Sequence, residues 1–403
     1  MNISVLSIGD EILSGDTVNT NSTWICKKIT ELGFDVVRQV TCQDNKKEII
    51  SSISFLLESS PNYVIVTGGL GPTEDDITRK VLFDYFDVQE IFDEKYWQKL
   101  VLKYKKLDIE VLDSNRSQAI IPSDGGFLPN PIGSARGYSF IKKNTKFFIL
   151  PGVPSEMKGI MNETILVELQ KIVTKPILRK LIRTTGYPES VLAHKIKKIT
   201  DLNHGCKIGY YPSAYGVDIR ISNTSSVLLE KFFIGIQNIL GDICFSGRKI
   251  SIEHLIIKKL SLLNKTVSIA ESCTGGLLGH RITNIPMASK VFNGGLITYS
   301  NESKSRLLGI PKKLIDDHGA VSEIVARKMS EEVKKRFETD YGISITGIAG
   351  PGGGTKEKPV GTVFIGISSI NSTKVYKYMF GKDREKNKLK TSQAAFNMLR
   401  LSI

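Results

Sequence analysis

The sequence predicts an α/β protein built from three consecutive units: a parallel-sheet α/β domain over residues 1–170, a small α+β connector over 171–250, and a layered α/β domain over 251–403. Three observations predict it. At 403 residues the chain is long for one domain,. Short apolar runs alternate with amphipathic stretches, as strands alternate with helices around a parallel sheet. The charge also changes along the chain: −5 over 1–170, +8 over 171–250 and +11 over 251–403, giving +14 in all.

In the first unit "ISVLSIG" (3–9), "VVRQVT" (36–41) and "YVIVTGG" (63–69) read as strands. "TNSTWICKKITELG" (20–33) and "KKEIISSISFLLESS" (46–60) between them read as helices. "KFFILPGVPSEMKGIM" (146–161) closes the unit as a further strand, a Gly/Pro loop and a helix. In the connector "KPILRKLIRTTG" (175–186) reads as a strand, "PESVLAHKIKKI" (188–199) as a helix and "CKIGYYPSAYGVDIRIS" (206–222) as a hairpin around Ser213–Tyr215. A helix over 225–240 and a short strand over 242–247 complete it. The third unit alternates again. Helical "IEHLIIKKLSLLN" (252–264) precedes the strand "TVSIA" (266–270), and "GGLLGHRITNI" (275–285) is a helix. "NGGLITYSNESK" (293–304) is a strand running into a loop, 322–337 a helix, and "YGISITGIAGPGGG" (341–354) a strand running into a glycine-rich loop. Two paired strands (361–368, 374–381) and a terminal helix follow.

The composition narrows the function classes. No stretch of about 18 apolar residues predicts a membrane span. The start "MNISVLSIGDEIL" reads as a core strand rather than a signal peptide,. The five cysteines are dispersed without metal-ligand spacing, which suits a reducing cytoplasm,. A nucleic-acid binder would concentrate basic residues among aromatics; here lysines recur on polar helical faces such as "EEVKKRFE", and nucleic acid is not the expected partner. A basic C-terminal half favours a small phosphorylated substrate.

Ligands of such sheets bind beyond the carboxyl ends of the strands. In the first unit those ends carry "GDEILSGDTVNTN", "CQDN" and "TGGLGPTEDDIT". Gly68, Gly69 and Gly71 allow close backbone approach, and Thr73 and Thr78 offer hydroxyls to phosphate or metal-bound water. Glu74-Asp75-Asp76 in such a loop suits a hard cation such as Mg²⁺ or Mn²⁺ shared with substrate phosphates. A solvated acidic first helical turn gives the same triplet. Asp10, Glu11 and Asp44 end other strands of the same sheet and favour the cation.

In the third unit "AESCTGG" aligns three nucleophile types, Ser272, Cys273 and Thr274, ahead of a helix. A thiol ionises most easily but needs a histidine partner, and His254, His280 and His318 lie in no loop at a strand's end. A serine needs a base. "TYSNESK" supplies Tyr299 and Lys304, and a desolvated lysine loses its proton near neutral pH. The amides around Thr274, Gly275 and Gly276 offer an oxyanion hole. "SITGIAGPGGG" adds Thr346 and the amides near Gly347 and Gly350. From the residues alone, an ordinary surface lysine at 304 stays open.

These motifs carry a resemblance. "GDEILSGDTVNTN", "TGGLGPTEDDIT" and "LPGVPSEM" resemble the molybdopterin-binding-type domain of the competence/damage-inducible CinA family. "AESCTGGLL", "YSNESK", "HGAVSE", "SITGIAGPGGG" and "KPVGTVFIGI" resemble its C-terminal domain. The connector is KH-like in its pieces but lacks the GxxG backbone clamp of nucleic-acid-binding KH modules. The first resemblance implies a metal-dependent ADP-ribose pyrophosphatase yielding AMP and ribose 5-phosphate, with Asp44 and Asp76 in the catalytic aspartate positions and Asp75, Asp76 and Asp44 as metal ligands. The second implies a metal-independent α/β/α deamidase that hydrolyses nicotinamide mononucleotide (NMN) to nicotinic acid mononucleotide and ammonia. By it Ser272 attacks the amide carbon, Lys304 takes its proton, and Tyr299 and Thr346 relay protons or orient Lys304. A homodimer is implied as well.

The family pattern F-x-G-D-R plus a later arginine here reads "FGKDREKNK". Arg384 keeps the phosphate-binding position, and the second basic position falls to Lys386 or Lys388. Two rival readings remain: a molybdenum-cofactor enzyme and a competence-related DNA-associated protein.

Overall fold

A computed structural model describes residues 1–108, 110–173, 176–202 and 205–403. They form two compact units, Met1–Leu178 and Arg179–Ile403. The connector therefore belongs with the C-terminal domain.

In the first unit β1 (Asn2–Ile8), β2 (Asp35–Cys42) and β3 (Tyr63–Thr67) are the expected strands. β4 (Glu90–Phe92) and β5 (Ile120–Pro122) form a separate two-stranded ribbon. β6 (Gly125–Leu128), β7 (Gly137–Lys142) and β8 (Thr145–Leu150) complete the main sheet, in the order β2-β1-β3-β8-β7-β6. The first four strands of that order are mutually parallel, whereas β7 pairs antiparallel with β8 and β6 antiparallel with β7. The expected parallel sheet is present and carries an antiparallel edge. The reason is local: Lys143 and Asn144 both take positive φ (50° and 60°) in a two-residue turn between β7 and β8, and a turn that tight joins only antiparallel strands.

The helices follow from caps and spacing. Asn19 and Asn45 accept hydrogen bonds from the Ser22 and Glu48 amides and start the helices Thr20–Leu32 and Lys46–Leu57,. Ile49, Ile53 and Leu56 recur at one-turn spacing and are buried, each contributing about 1.5–3 kcal/mol. Side chains alternate along β1. Leu6 and Ile8 pack with Ile49, Ile53 and Val66 on one face; Ile3 and Val5 pack with Ile25, Ile29 and Met157 on the other. The result is a three-layer sandwich.

In the second unit β9 (Leu178–Thr184), β10 (Lys207–Ser213), β11 (Gly216–Asn223) and β12 (Cys244–Ser246) form the connector's sheet, order β10-β11-β9-β12. β10 and β11 make the expected hairpin. Lys175, the first residue of the strand expected over 175–186, lies outside the described residues.

The C-terminal sheet is β14-β13-β15-β16-β17, formed by β13 (Val267–Glu271), β14 (Phe292–Ile297), β15 (Tyr341–Gly347), β16 (Thr362–Ser368) and β17 (Thr373–Met379). β13 is parallel to both neighbours, and β16 and β17 are antiparallel additions. Helices Ile252–Leu262 and Arg384–Ser402 cover one face through Ile256, Leu260, Phe396 and Leu399. Leu308, Ile315, Met329 and Val333 cover the other, as in the expected α/β/α sandwich. Buried Arg281 ties the two helices of the first face together. It forms a forked pair with Glu253 and donates to Ser392 Oγ and Gln393 Oε1; Gln393 in turn donates to Thr185 of the connector at 3.3 Å.

Candidate active sites

β13 lies between two parallel neighbours reached by opposite crossovers, the arrangement in which ligands of such sheets bind beyond the strand's carboxyl end. Ser272 is the first residue beyond that end. Gly275 and Gly276 take φ of 62° and 95°, a left-handed turn that favours glycine, and the chain then enters the helix Leu277–Thr283. From β14 the chain reaches Thr298 and then the helix Asn301–Leu308. Lys304 therefore sits in a helix, not in the loop expected. Ser300 and Ser303 form a reciprocal capping box that starts the helix ahead of Lys304,.

The two segments bring Ser272 and Lys304 together. Lys304 Nζ lies 3.1 Å from Ser272 Oγ and donates to the Thr298 carbonyl at 2.8 Å. Lys304 is 1% exposed and has no carboxylate partner among the described residues. Burial draws its pKa down from 10.5 to about 8,. The Cys273 thiol is buried too, and burial pushes it up to about 12, so it stays protonated and inert,.

The remaining expected residues distribute around this pair. Arg384 donates to the Tyr299 hydroxyl at 2.9 Å and to the Gly350 carbonyl at 2.8 Å, joining three of the motifs. Tyr299 thus meets Arg384 rather than Lys304. Thr346 is buried at the end of β15 beside Gly347, and its hydroxyl donates to the Ala320 carbonyl at 2.8 Å. Neither residue hydrogen-bonds to Ser272 or Lys304 among the described residues. Asn387 fastens the terminal helix to the glycine-rich loop through the Ala349 and Gly381 carbonyls. Lys386 turns back to Asp383 at 3.4 Å, whereas Lys388 Nζ approaches the Gly275 turn, 4.0 Å from where a β-carbon on Gly275 would lie.

The helix-start amides are not all available for an oxyanion. The Gly276 amide donates to the Glu271 carboxylate at 3.1 Å, and that of Gly275 to the Ser272 carbonyl. The amides of Cys273 and Thr274 have no oxygen acceptor among the described residues. The Thr274 hydroxyl is buried and without a partner among the described residues. Sequence reasoning missed Glu271 and Thr298. An acid ahead of a glycine turn and helix is a legible signal for the first; Thr298 acts through its carbonyl, which no residue identity announces.

In the first unit a cleft of about 280 Å³ opens at the carboxyl ends of β1 and β3, lined by Ser7, Glu11, Asn19, Asn21, Thr67 and Gly68 among others. The two asparagines were not singled out from sequence. Gly69, at φ 66°, leaves room for Thr78 Oγ1, which would lie 2.1 Å from a β-carbon there; Asp44 Oδ1 is at 3.4 Å from the same point. The Thr78 hydroxyl is buried and has no partner among the described residues. Asp44 accepts from the Asp10 amide at 3.2 Å. Burial, then the charges of Asp10, Glu11 and Asp75, raise its pKa against that hydrogen bond. Asp76 accepts from the amide and hydroxyl of Thr73 and crowds Gly71.

Among the described residues no three His, Cys, Asp or Glu side chains converge closely enough to hold a metal ion by themselves. Asp44, Asp75 and Asp76 thus form no ready-made cage. A Mg²⁺-type ion, commonly held by one or two carboxylates plus substrate phosphates, still fits Asp44, whose carboxylate is repelled by Asp10, Glu11 and Asp75, and none of Asp44, Asp75 and Asp76 has a basic partner among the described residues.

Comparison with known proteins gives three family matches: "Probable molybdopterin binding domain" over residues 4–171, "Damage-inducible protein CinA KH domain" over 179–246, and "CinA C-terminal domain" over 249–403. A CinA-like protein of Gemmatimonas aurantiaca is 36% identical over 99% of this chain and 96% of its own length. A Clostridioides difficile protein, named for competence-damage induction, is 37% identical over 100% of this chain and 99% of its own. Among solved structures, the competence/damage inducible protein CihA from Agrobacterium tumefaciens is 36% identical over 37% of this chain and 92% of that one, with a TM-score of 0.37. Among the described residues no helix is long and apolar enough to cross a membrane.

Proposed function

The chain belongs to the CinA family, and from that premise we propose that its C-terminal domain is an amidohydrolase that deamidates NMN, with Ser272 as nucleophile and Lys304 as general base. The observation that carries this reading is the buried Lys304 amine, 3.1 Å from the Ser272 hydroxyl with its pKa near 8. A lysine so placed has no packing role that a leucine or methionine would not serve better. Its neutral form accepts the Ser272 proton as Oγ attacks the carboxamide carbon. The resulting ammonium gives that proton to the departing ammonia, and water then cleaves the acyl-enzyme with Lys304 as base again. The Cys273 and Thr274 amides receive the oxyanion. Arg384, and Lys388 rather than Lys386, face the substrate's phosphate.

Because the base works unprotonated, kcat/KM for NMN is expected to rise about tenfold per pH unit below pH 8 and to level off above it. A flat profile from pH 6 to 9 would exclude Lys304 as the base. Ammonia release from NMN by the purified chain, against Ser272→Ala, tests the activity itself.

For the first unit we propose metal-dependent cleavage of ADP-ribose to AMP and ribose 5-phosphate. Asp44 and Asp76, with Asp75 as a further ligand, would hold the divalent ion beside the substrate. The bound ion supplies charge neutralisation and an activated water. Gly68, Gly69, Gly71, Thr73 and Thr78 place backbone and hydroxyl groups beside the phosphates. EDTA, Asp44→Ala or Asp76→Ala is each expected to lower AMP release at least a hundredfold and leave ammonia release from NMN unchanged. A cytoplasmic homodimer is the assembly we propose, and sedimentation velocity checks the dimer.

A further inference from the structure

Glu271 is the last residue of β13 and is 1% exposed. Its carboxylate has no cationic partner among the described residues. It is satisfied instead by three backbone amides across the turn: Gly276 and Leu278 on Oε2 at 3.1 Å each, and Gly279 on Oε1 at 2.9 Å. Its carbonyl accepts the Thr298 amide at 2.7 Å. Thr298 is the residue whose own carbonyl holds Lys304 Nζ. One residue thus grips both segments of the candidate site: the nucleophile's turn through its side chain and the base's segment through its main chain.

We infer that Glu271 is a positioning residue for the Ser272–Lys304 pair, its carboxylate clamping the 272–279 turn so that Oγ faces Nζ. The inference rests on the Ser272–Lys304 reading and extends it to a residue that does not touch the substrate. Buried carboxylates are costly unless hydrogen-bonded, and charge-assisted bonds to helix-start amides are among the stronger ones. The clamp has a second effect. It consumes the amides of Gly276, Leu278 and Gly279 and places a negative charge at this helix start. An incoming oxyanion is therefore left the amides of Cys273 and Thr274, which have no oxygen acceptor among the described residues.

Glu271→Gln is nearly isosteric but presents an amide N–H₂ where the turn offers only donors, so at least one of the three contacts becomes a donor–donor clash. Glu271→Asp keeps the charge and loses reach. The test is the second-order rate at which a small fluorophosphonate labels Ser272 in the full chain, beside kcat and KM for NMN and the thermal unfolding midpoint. Labelling reads the nucleophile without NMN, so failure of the substrate assignment and failure of this inference are distinguishable. We expect Glu271→Gln to slow labelling and kcat at least thirtyfold with KM within threefold, and Glu271→Asp to fall between it and the wild type. Where Glu271→Gln does not fold, the Asp variant alone is read, with a fivefold or greater slowing expected. A folded variant that labels within threefold of wild type would overturn the inference. So would a rate loss that merely tracks the unfolded fraction.

Discussion

Lys304→Met is expected to release ammonia from NMN at less than about a thousandth of the wild-type rate and, at pH 7, to be more stable than the wild type. The two effects have one cause. Folding moves Lys304 from water into a site where burial lowers its pKa from 10.5 to about 8. A depressed lysine pKa means that the folded state disfavours the charged form. At pH values below about 8 the folded protein carries the full cost of the buried cation. The cost is relieved as pH rises from about 8 toward 10.5, where the unfolded chain also loses its proton. The shift corresponds to on the order of 3 kcal/mol. Methionine removes the charge and strands only the Thr298 carbonyl and the Ser272 hydroxyl, so a net gain of about 1–3 kcal/mol is expected at pH 7. Denaturant unfolding at pH 7 and pH 9.5 checks it, since the advantage should shrink at the higher pH. A variant destabilised at pH 7 would mean that Lys304 serves the fold.

Ser272→Ala is expected to abolish ammonia release, with a loss of at least about 10³-fold, while ADP-ribose cleavage in the first unit continues. The neighbouring thiol offers no bypass. Cys273 is buried, and with its pKa pushed up to about 12 it remains a thiol at any pH where the protein is assayed. Removing one buried hydroxyl costs little in packing, and the fold is expected to survive, because the turn is held by Glu271 and by the Ser272 amide donating to the Ile345 carbonyl. Wild-type deamidation by Ser272→Ala would refute the nucleophile whatever the substrate.

Much of the fold was legible because period and punctuation agree. Asn19, Asn45 and Ser251 stand where helices begin, and β1 and β13 read as short, mostly apolar runs, buried on both faces as central strands are,. What escaped was set by turns. The Lys143-Asn144 pair lacks the glycine that usually announces a two-residue hairpin, so the antiparallel edge of the first sheet went unread. In the candidate site, Ser272 and Lys304 were legible by residue type and by resemblance, but 31 intervening residues hide their contact. The partners of Tyr299 and Thr346 were not legible. The distant Arg384 and a main-chain carbonyl at Ala320 take those hydroxyls. Nor could spacing choose between Lys386 and Lys388. Helical geometry sends the first back to Asp383 and the second toward Gly275.

The most direct test of the central claim is ammonia release from NMN by the full-length chain at pH 8.5 in EDTA, wild type beside Ser272→Ala. Steady release by the wild type, none above background by the variant, and no effect of the chelator are expected. Folded wild-type protein that releases no ammonia, or equal release by both proteins, would contradict that claim.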